Sequence, residues 1–353
     1  ERVADSREPV GFRIHVGASG HGLARNGSLA AVAVVVDGGE PLVRKGDCPV
    51  AAFAVAGDAS PERGAVLGGA DVLVSVAGAD VAQLARAADA QKMLDARDRT
   101  GKLLTIGYQY RHFPSSQVAK AVVDDGWLGD IYYAEATYLR RRGVPTWGVF
   151  TDKSKQGGGP LIDIGTHALD LTLFLMNNYD VDYVVGTSFE KLGQLLDPQH
   201  QGQVNGQGQP DNWNNKTYDV EDSAVGHIKM KNGAVINLRA AWAINMVPET
   251  GANGNAHVML AGTKGGMDTL DDVVRLNHVV AGQPAVTTVG HKIPSYIPGF
   301  SQGPAPLSKE HDIWVKALRG EGELFVTADQ AFVVTKILDA IYQSSKTGKP
   351  VYF

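Results

Sequence analysis

The run GGGPLIDIGTHALDLTLFLM, residues 157–176, constrains this chain more than any other stretch. From Leu161 to Met176 the residues are largely apolar, so a helix here should be buried on most of its faces. Gly157 to Gly159 form a flexible approach, and Pro160 suits the first helical turn. Three ionisable residues interrupt the run. Asp163, His167 and Asp170 stand at i, i+4 and i+7, which puts them on one stripe of a helix. A lone buried charge costs several kcal/mol, so these groups need partners. The residues alone leave three arrangements open. An Asp–His pair satisfies itself and locks two helices. A metal site needs a third ligand, for which only Asp170 has helical spacing. In acid–base chemistry the carboxylate sets the imidazole tautomer and the imidazole exchanges a proton with a substrate hydroxyl.

The flanking sequence predicts two different architectures. RIHV (13–16), AAFAVAG (51–57), DVLVSVAG (71–78) and KLLTIGYQY (102–110) are short apolar runs of strand type, bounded by Gly or Asp. Residues 81–101 have a helical pattern with Gly101 as C-terminal cap. This alternation predicts a parallel sheet with helices on its faces, an α/β Rossmann-like domain over 1–106. Residues 107–353 predict an α+β domain with an open, mostly antiparallel sheet. Its expected parts are a helix at 118–129, a strand at 131–139, further strands at 257–262 and 273–280, and two closing helices at 308–320 and 327–348. The segment 222–243 predicts a hairpin with a tight two-residue turn at Asn232-Gly233. Residues 193–217, rich in Gln and Asn, are expected to form a long surface loop, with a lid or oligomer arm as the alternative.

Composition narrows the partners. A net charge of −5 over 353 residues argues against nucleic acid, which wants clustered Lys and Arg. No apolar run reaches the roughly 18 residues of a membrane span, and ERVADSREPV lacks a signal-peptide core, so no membrane partner is expected. A single cysteine, Cys48, fits a reducing compartment; a cytoplasmic location is expected.

After the first strand, RIHVGASGHGLARNG places Gly17, Ser19 and Gly22 as G-x-S-x-x-G, one residue from the dinucleotide fingerprint. There the backbone approaches a pyrophosphate and the helix N-terminus favours its charge. An ordinary strand-to-helix turn gives a similar pattern. Asp58, followed by SPER, is preferred over Asp37 as the acid for a ribose hydroxyl, which favours NAD while leaving NADP open. A solvated turn is the competing reading for Asp58.

From about residue 102 onward the sequence resembles the glucose–fructose oxidoreductase / inositol dehydrogenase (Gfo/Idh/MocA) family. The carrying stretches are GKLLTIGYQYRHFP, DDGWLGDIYYAEATYLRRRGVPTWGVF, KQGGGPLIDIGTHALDLTLFLM and the hairpin at 222–243. The resemblance implies an NAD(P)-dependent oxidoreductase acting on a ring hydroxyl or ketone of a sugar, anhydrosugar or inositol. It implies His167 as catalytic acid/base and Asp163 as its substrate-contacting neighbour. It places Arg111, Arg140 and Trp147 around the substrate, and implies a homo-oligomer, dimer or tetramer, built through the open sheet. One departure stands out: no Glu-Lys-Pro occurs, and only ADVAQLARAA separates stretches that in the family flank another helix, another strand and a lysine. Lys92 lies beyond that gap and is no substitute. An N-terminal segment misread relative to the family's domain, a slow lysine-independent dehydrogenase, a non-catalytic dinucleotide or sugar sensor, and an NAD-dependent glycosidase-like relative all fit this departure.

Overall fold

The computed structural model describes residues 53–56, 86–145, 150–193, 218–246, 255–289 and 306–353, with backbone alone at 53–56 and 306–308. Strand β1 (Phe53–Ala56) pairs with β2 (Leu103–Ile106). Between them lies helix α1 (Ala87–Thr100), closed by Gly101 in the left-handed region at φ +65°. The β1–β2 pair is antiparallel, where parallel neighbours were expected. Strand–helix alternation predicts crossovers without fixing which strands become neighbours. The rest of the expected Rossmann-like domain, with Gly17, Ser19, Gly22 and Asp58, lies outside the described residues, as do 194–217 and Trp147.

The larger unit is a nine-stranded sheet with helices on one face. Its strands are β3 (Ile131–Leu139), β4 (Val181–Phe189), β5 (Ser223–Met230), β6 (Val235–Ala241), β7 (His257–Gly262), β8 (Gly266–Asp268), β9 (Val274–Val280), β10 (Gln283–Val289) and β11 (Val351–Tyr352). They lie in the order β10-β9-β8-β7-β3-β6-β5-β4-β11. All neighbours are antiparallel except β3 and β6. A parallel pair requires a long crossover, and this one carries the apolar run of 161–176 over the sheet. Alternation along the strands builds the core: Ala134, Ala136, Ile228, Ile236, Leu238 and Ala240 are buried beneath the helices. The other face stays open, with Val185, Val225 and Met259 exposed.

Three expected elements are shifted. Helix α2 runs Pro114–Asp124, earlier than 118–129, because Pro114 fits the first helical position and the left-handed Gly126 stops the chain. The strand expected through 110 ends at Ile106, and Gln109–His112 form a tight 3₁₀ turn that aims Arg111 inward. The hairpin loop has three residues rather than two. Gly233 N–H donates to the Met230 carbonyl, and Gly233 takes φ +93°, a turn followed by a left-handed glycine. The closing helices are α4 (Pro306–Leu318) and α5 (Ala328–Thr347). Helix α5 also ties down α1, through Arg97 bonded to Asp329 at 2.6 and 3.1 Å.

Candidate active site

The helix expected over Leu161–Met176 forms in two parts. Leu161–Gly165 make one wide π turn, and helix α3 (Thr166–Met176) continues from it. Glu221 holds the start, where its Oε1 accepts from the Leu161 N–H (3.1 Å) and the Tyr342 hydroxyl (2.7 Å). Gly165 lets the wide turn lie on β6: a Cβ there would meet the Ala240 Cβ at 3.0 Å. A π turn inserts one extra residue, a device frequent at functional sites, and here it contains Asp163.

The parallel pairing of β3 and β6 brings two strand ends together beneath this turn. The Arg140 N–H donates to the Ala241 carbonyl (2.8 Å), so Tyr138, Arg140 and Trp242 emerge at one rim. Ligand sites are common at the carboxyl ends of parallel strands. The indole Nε1–H of Trp242 donates to Asp163 Oδ2 (2.7 Å). The Tyr110 ring lies against the His167 ring, with centroids 5.2 Å apart, and its hydroxyl meets that of Tyr138 at 3.4 Å. The Arg140 guanidinium lies over the Tyr138 ring at 5.3 Å. Its hydrogen bonds are long, 3.4 Å each to the Tyr138 hydroxyl and the Gly143 carbonyl, and its Nε has no partner.

Asp163 and His167 are both buried, yet they do not satisfy each other. His167 Nδ1 is enclosed and without a hydrogen-bond partner. A buried polar atom is ordinarily paired, and an orphan in a rim of convergent polar groups marks a place for a ligand atom. Burial, and then the Arg140 charge, lower the His167 pKa to about 4, so the ring is neutral at neutral pH. Burial pushes the Asp163 carboxyl up, against the pull of the Arg140 cation and the Trp242 bond.

Asp170, third on the expected stripe, has a different task. It receives the Arg111 guanidinium through Nε (3.0 and 3.2 Å) and a terminal nitrogen (2.6 Å). Arg111 also donates to Gln330 Oε1 (2.7 Å) and the Tyr179 hydroxyl (3.2 Å), and its relative exposure is 0 %. This corrects the expectation that Arg111 contacts substrate: its donors are consumed inside the core, where the pair clamps the 109–112 turn carrying Tyr110 onto α3. Arg140 of the Arg140–Arg142 cluster faces the site, whereas Arg142 bonds outward to Asn245. Lys92 is exposed and paired with Asp89. Among the described residues no group of three or more His, Cys, Asp or Glu side chains is placed to hold a metal. Tyr110, Tyr138 and Trp242 were not singled out in the sequence; their signal was position, in the 3₁₀ turn and at the ends of two strands that pair only in space.

Residues 120–353 match the C-terminal alpha/beta domain of the Gfo/Idh/MocA oxidoreductase family. The chain belongs to this family. This oxidoreductase is 30 % identical over 262 residues to the D-glucoside 3-dehydrogenase of Escherichia coli K12, covering 74 % of the chain and 68 % of that protein. It is 29 % identical over 165 residues to the levoglucosan dehydrogenase of Pseudarthrobacter phenanthrenivorans, covering 44 % and 41 %. Its fold matches a solved levoglucosan dehydrogenase in complex with NADH and levoglucosan, with a TM-score of 0.59 and 22 % identity over 76 % of the chain and 70 % of that structure.

Proposed function

We propose that the chain is an NAD-dependent dehydrogenase of a sugar ring hydroxyl. The observation that carries this reading is the orphaned, enclosed His167 Nδ1, four residues after the buried Asp163, with both groups in the field of Arg140. A secondary alcohol becomes a ketone by losing its hydroxyl proton to a base and the carbon-bound hydrogen as hydride. His167 takes the proton. Asp163, held on one oxygen by Trp242, accepts a hydrogen bond from a substrate hydroxyl and orients the ring. Arg140, loosely bonded, holds a second hydroxyl and favours the negative charge that grows on the reacting oxygen. The Tyr110 and Tyr138 rings give a face for the sugar's apolar side. Bound NAD supplies the hydride acceptor. In a Rossmann-type first domain, Gly17, Ser19 and Gly22 would hold the pyrophosphate and Asp58 the ribose. The names of the two curated relatives, a glucoside and an anhydrosugar dehydrogenase, favour a pyranose ring over inositol as substrate. The open sheet face, with Val185, Val225 and Met259 exposed, suits a second subunit, and a cytoplasmic enzyme fits the composition.

A second reading, a non-catalytic sensor, is favoured by the absent Glu-Lys-Pro lysine. Turnover separates the two. The purified protein with NAD and methyl glucosides, levoglucosan or inositol should produce NADH, read at its absorbance band. NADH binding without product from any of them would establish the sensor.

A further inference from the structure

Trp242 is fully buried directly after β6. Its backbone is tied on both sides, its N–H donating to the Asp222 carbonyl (3.0 Å) and its carbonyl accepting from the Gly143 N–H (2.8 Å). The Phe150 ring meets the indole edge-on, with centroids 6.2 Å apart. So anchored, the indole has one polar atom, and it donates that hydrogen to Asp163 Oδ2 at 2.7 Å. An ionised carboxylate has about four acceptor directions, so this bond fixes its plane and leaves the other oxygen able to receive a further donor. The groups around Asp163 from the packed elements are Arg140 at the end of β3, with Tyr138 and Tyr110 beside it, and His167 in the following turn of α3. Arg140 supplies charge through long, adaptable contacts, whereas Trp242 supplies a short bond of fixed direction.

We propose that Trp242 is a positioning residue for Asp163: its indole N–H locks the carboxylate's rotation, so that the free oxygen is presented to a sugar hydroxyl. The proposal rests on Asp163 being the substrate-facing carboxylate. An indole reaching a carboxylate carries no charge, so it can hold the anion without competing with Arg140 for the substrate. Losing the bond frees the carboxyl to rotate and makes it easier to protonate.

The test uses the full chain in two arms. In the first, nitrogen-15 indole spectra follow the five tryptophans with pH. One indole N–H signal should move as Asp163 protonates, and in Asp163→Ala that signal alone should lose its titration. If every indole signal titrates identically in Asp163→Ala and the parent, the proposal is overturned. This arm needs neither turnover nor substitution of Trp242. In the second arm, Trp242→Phe should lower kcat/KM roughly tenfold and move the acidic limb of its pH profile upward, with little further loss in an Asp163→Ala background. An equal loss in both backgrounds would give Trp242 a purely structural role and refute the proposal. A parent that oxidises no sugar would sink the dehydrogenase reading, while the indole spectra would still decide the role of Trp242.

Discussion

Replacing Asp170 with Ala should make this protein unfold far more readily, because its carboxylate is taken up by Arg111 in the core. The carboxylate receives three of the contacts made by the Arg111 guanidinium, at 2.6, 3.0 and 3.2 Å. Without it a fully buried cation keeps the hydrogen bonds to Gln330 and the Tyr179 hydroxyl and the faces of the Tyr108 and Phe174 rings, at 5.6 and 5.0 Å. Breaking a buried pair from one side costs about 3–5 kcal/mol, because the surviving charge is left without compensation. The two remaining bonds place the expected value at the lower end, about 3 kcal/mol. Total stabilities run about 5–15 kcal/mol, so this is a large share. A urea midpoint should fall by about 1–3 M, given slopes of about 1–3 kcal/mol per M. Arg111→Met should also destabilise, but less at low pH, because burial already raises the Asp170 pKa and a protonated partner needs no cation. Arg111→Met combined with Asp170→Leu should recover most of the loss, since an apolar pair of similar volume replaces a buried ion pair at little cost. Circular dichroism during urea titration measures all three. If Arg111→Met left the midpoint unchanged and raised KM for the sugar more than tenfold, Arg111 would belong to the substrate site and the core-clamp argument would fail.

Two further predictions concern pH. His167 and His112 both have pKa values lowered to about 4, by burial first, then by Arg140 for His167 and by Lys309 and Arg111 for His112. Unfolded histidine titrates near its ordinary value of about 6.5, so between there and 4 the unfolded chain binds more protons and stability falls on acidification. His167 alone should contribute about 1.4 kcal/mol per pH unit in that window. If the urea midpoint of the parent fell no further from pH 7 to 5 than that of His167→Ala, this would be contradicted. Glu310 in α4 has an enclosed, unpartnered Oε2, and burial pushes its pKa up to about 7. The folded state then favours the protonated form, so stability falls as pH rises from the ordinary glutamate value to about 7. Glu310→Gln should be more stable than the parent above pH 7 and indistinguishable from it at pH 4; equal midpoints at pH 8 would refute the argument.

The sheet and the buried helix were legible because their signals are local. Alternation in 131–139 and 223–241 fixed which side chains face the helices, and the apolar run of 161–176 fixed that its helix is enclosed. The wide turn at Leu161–Gly165 was not legible, since a π turn and an α turn bury the same apolar side chains. Arg111 was misplaced for a related reason: its partners lie 59 and 219 residues away, so YQYR alone does not reveal that the guanidinium turns inward. Trp242 became a neighbour of the site only through the parallel pairing of β3 and β6, a non-local event. The hairpin turn was placed correctly and misjudged by one residue, because Asn-Gly suits both loop lengths.

The central claim is that His167 removes a sugar's hydroxyl proton. Its most direct test is the rate of NADH formation by the parent and by His167→Ala, with NADH affinity measured on both proteins. Turnover should fall at least ~100-fold with affinity unchanged, because the base is lost while the dinucleotide site is untouched. Turnover that survived the substitution would contradict the claim and return the reaction to another base.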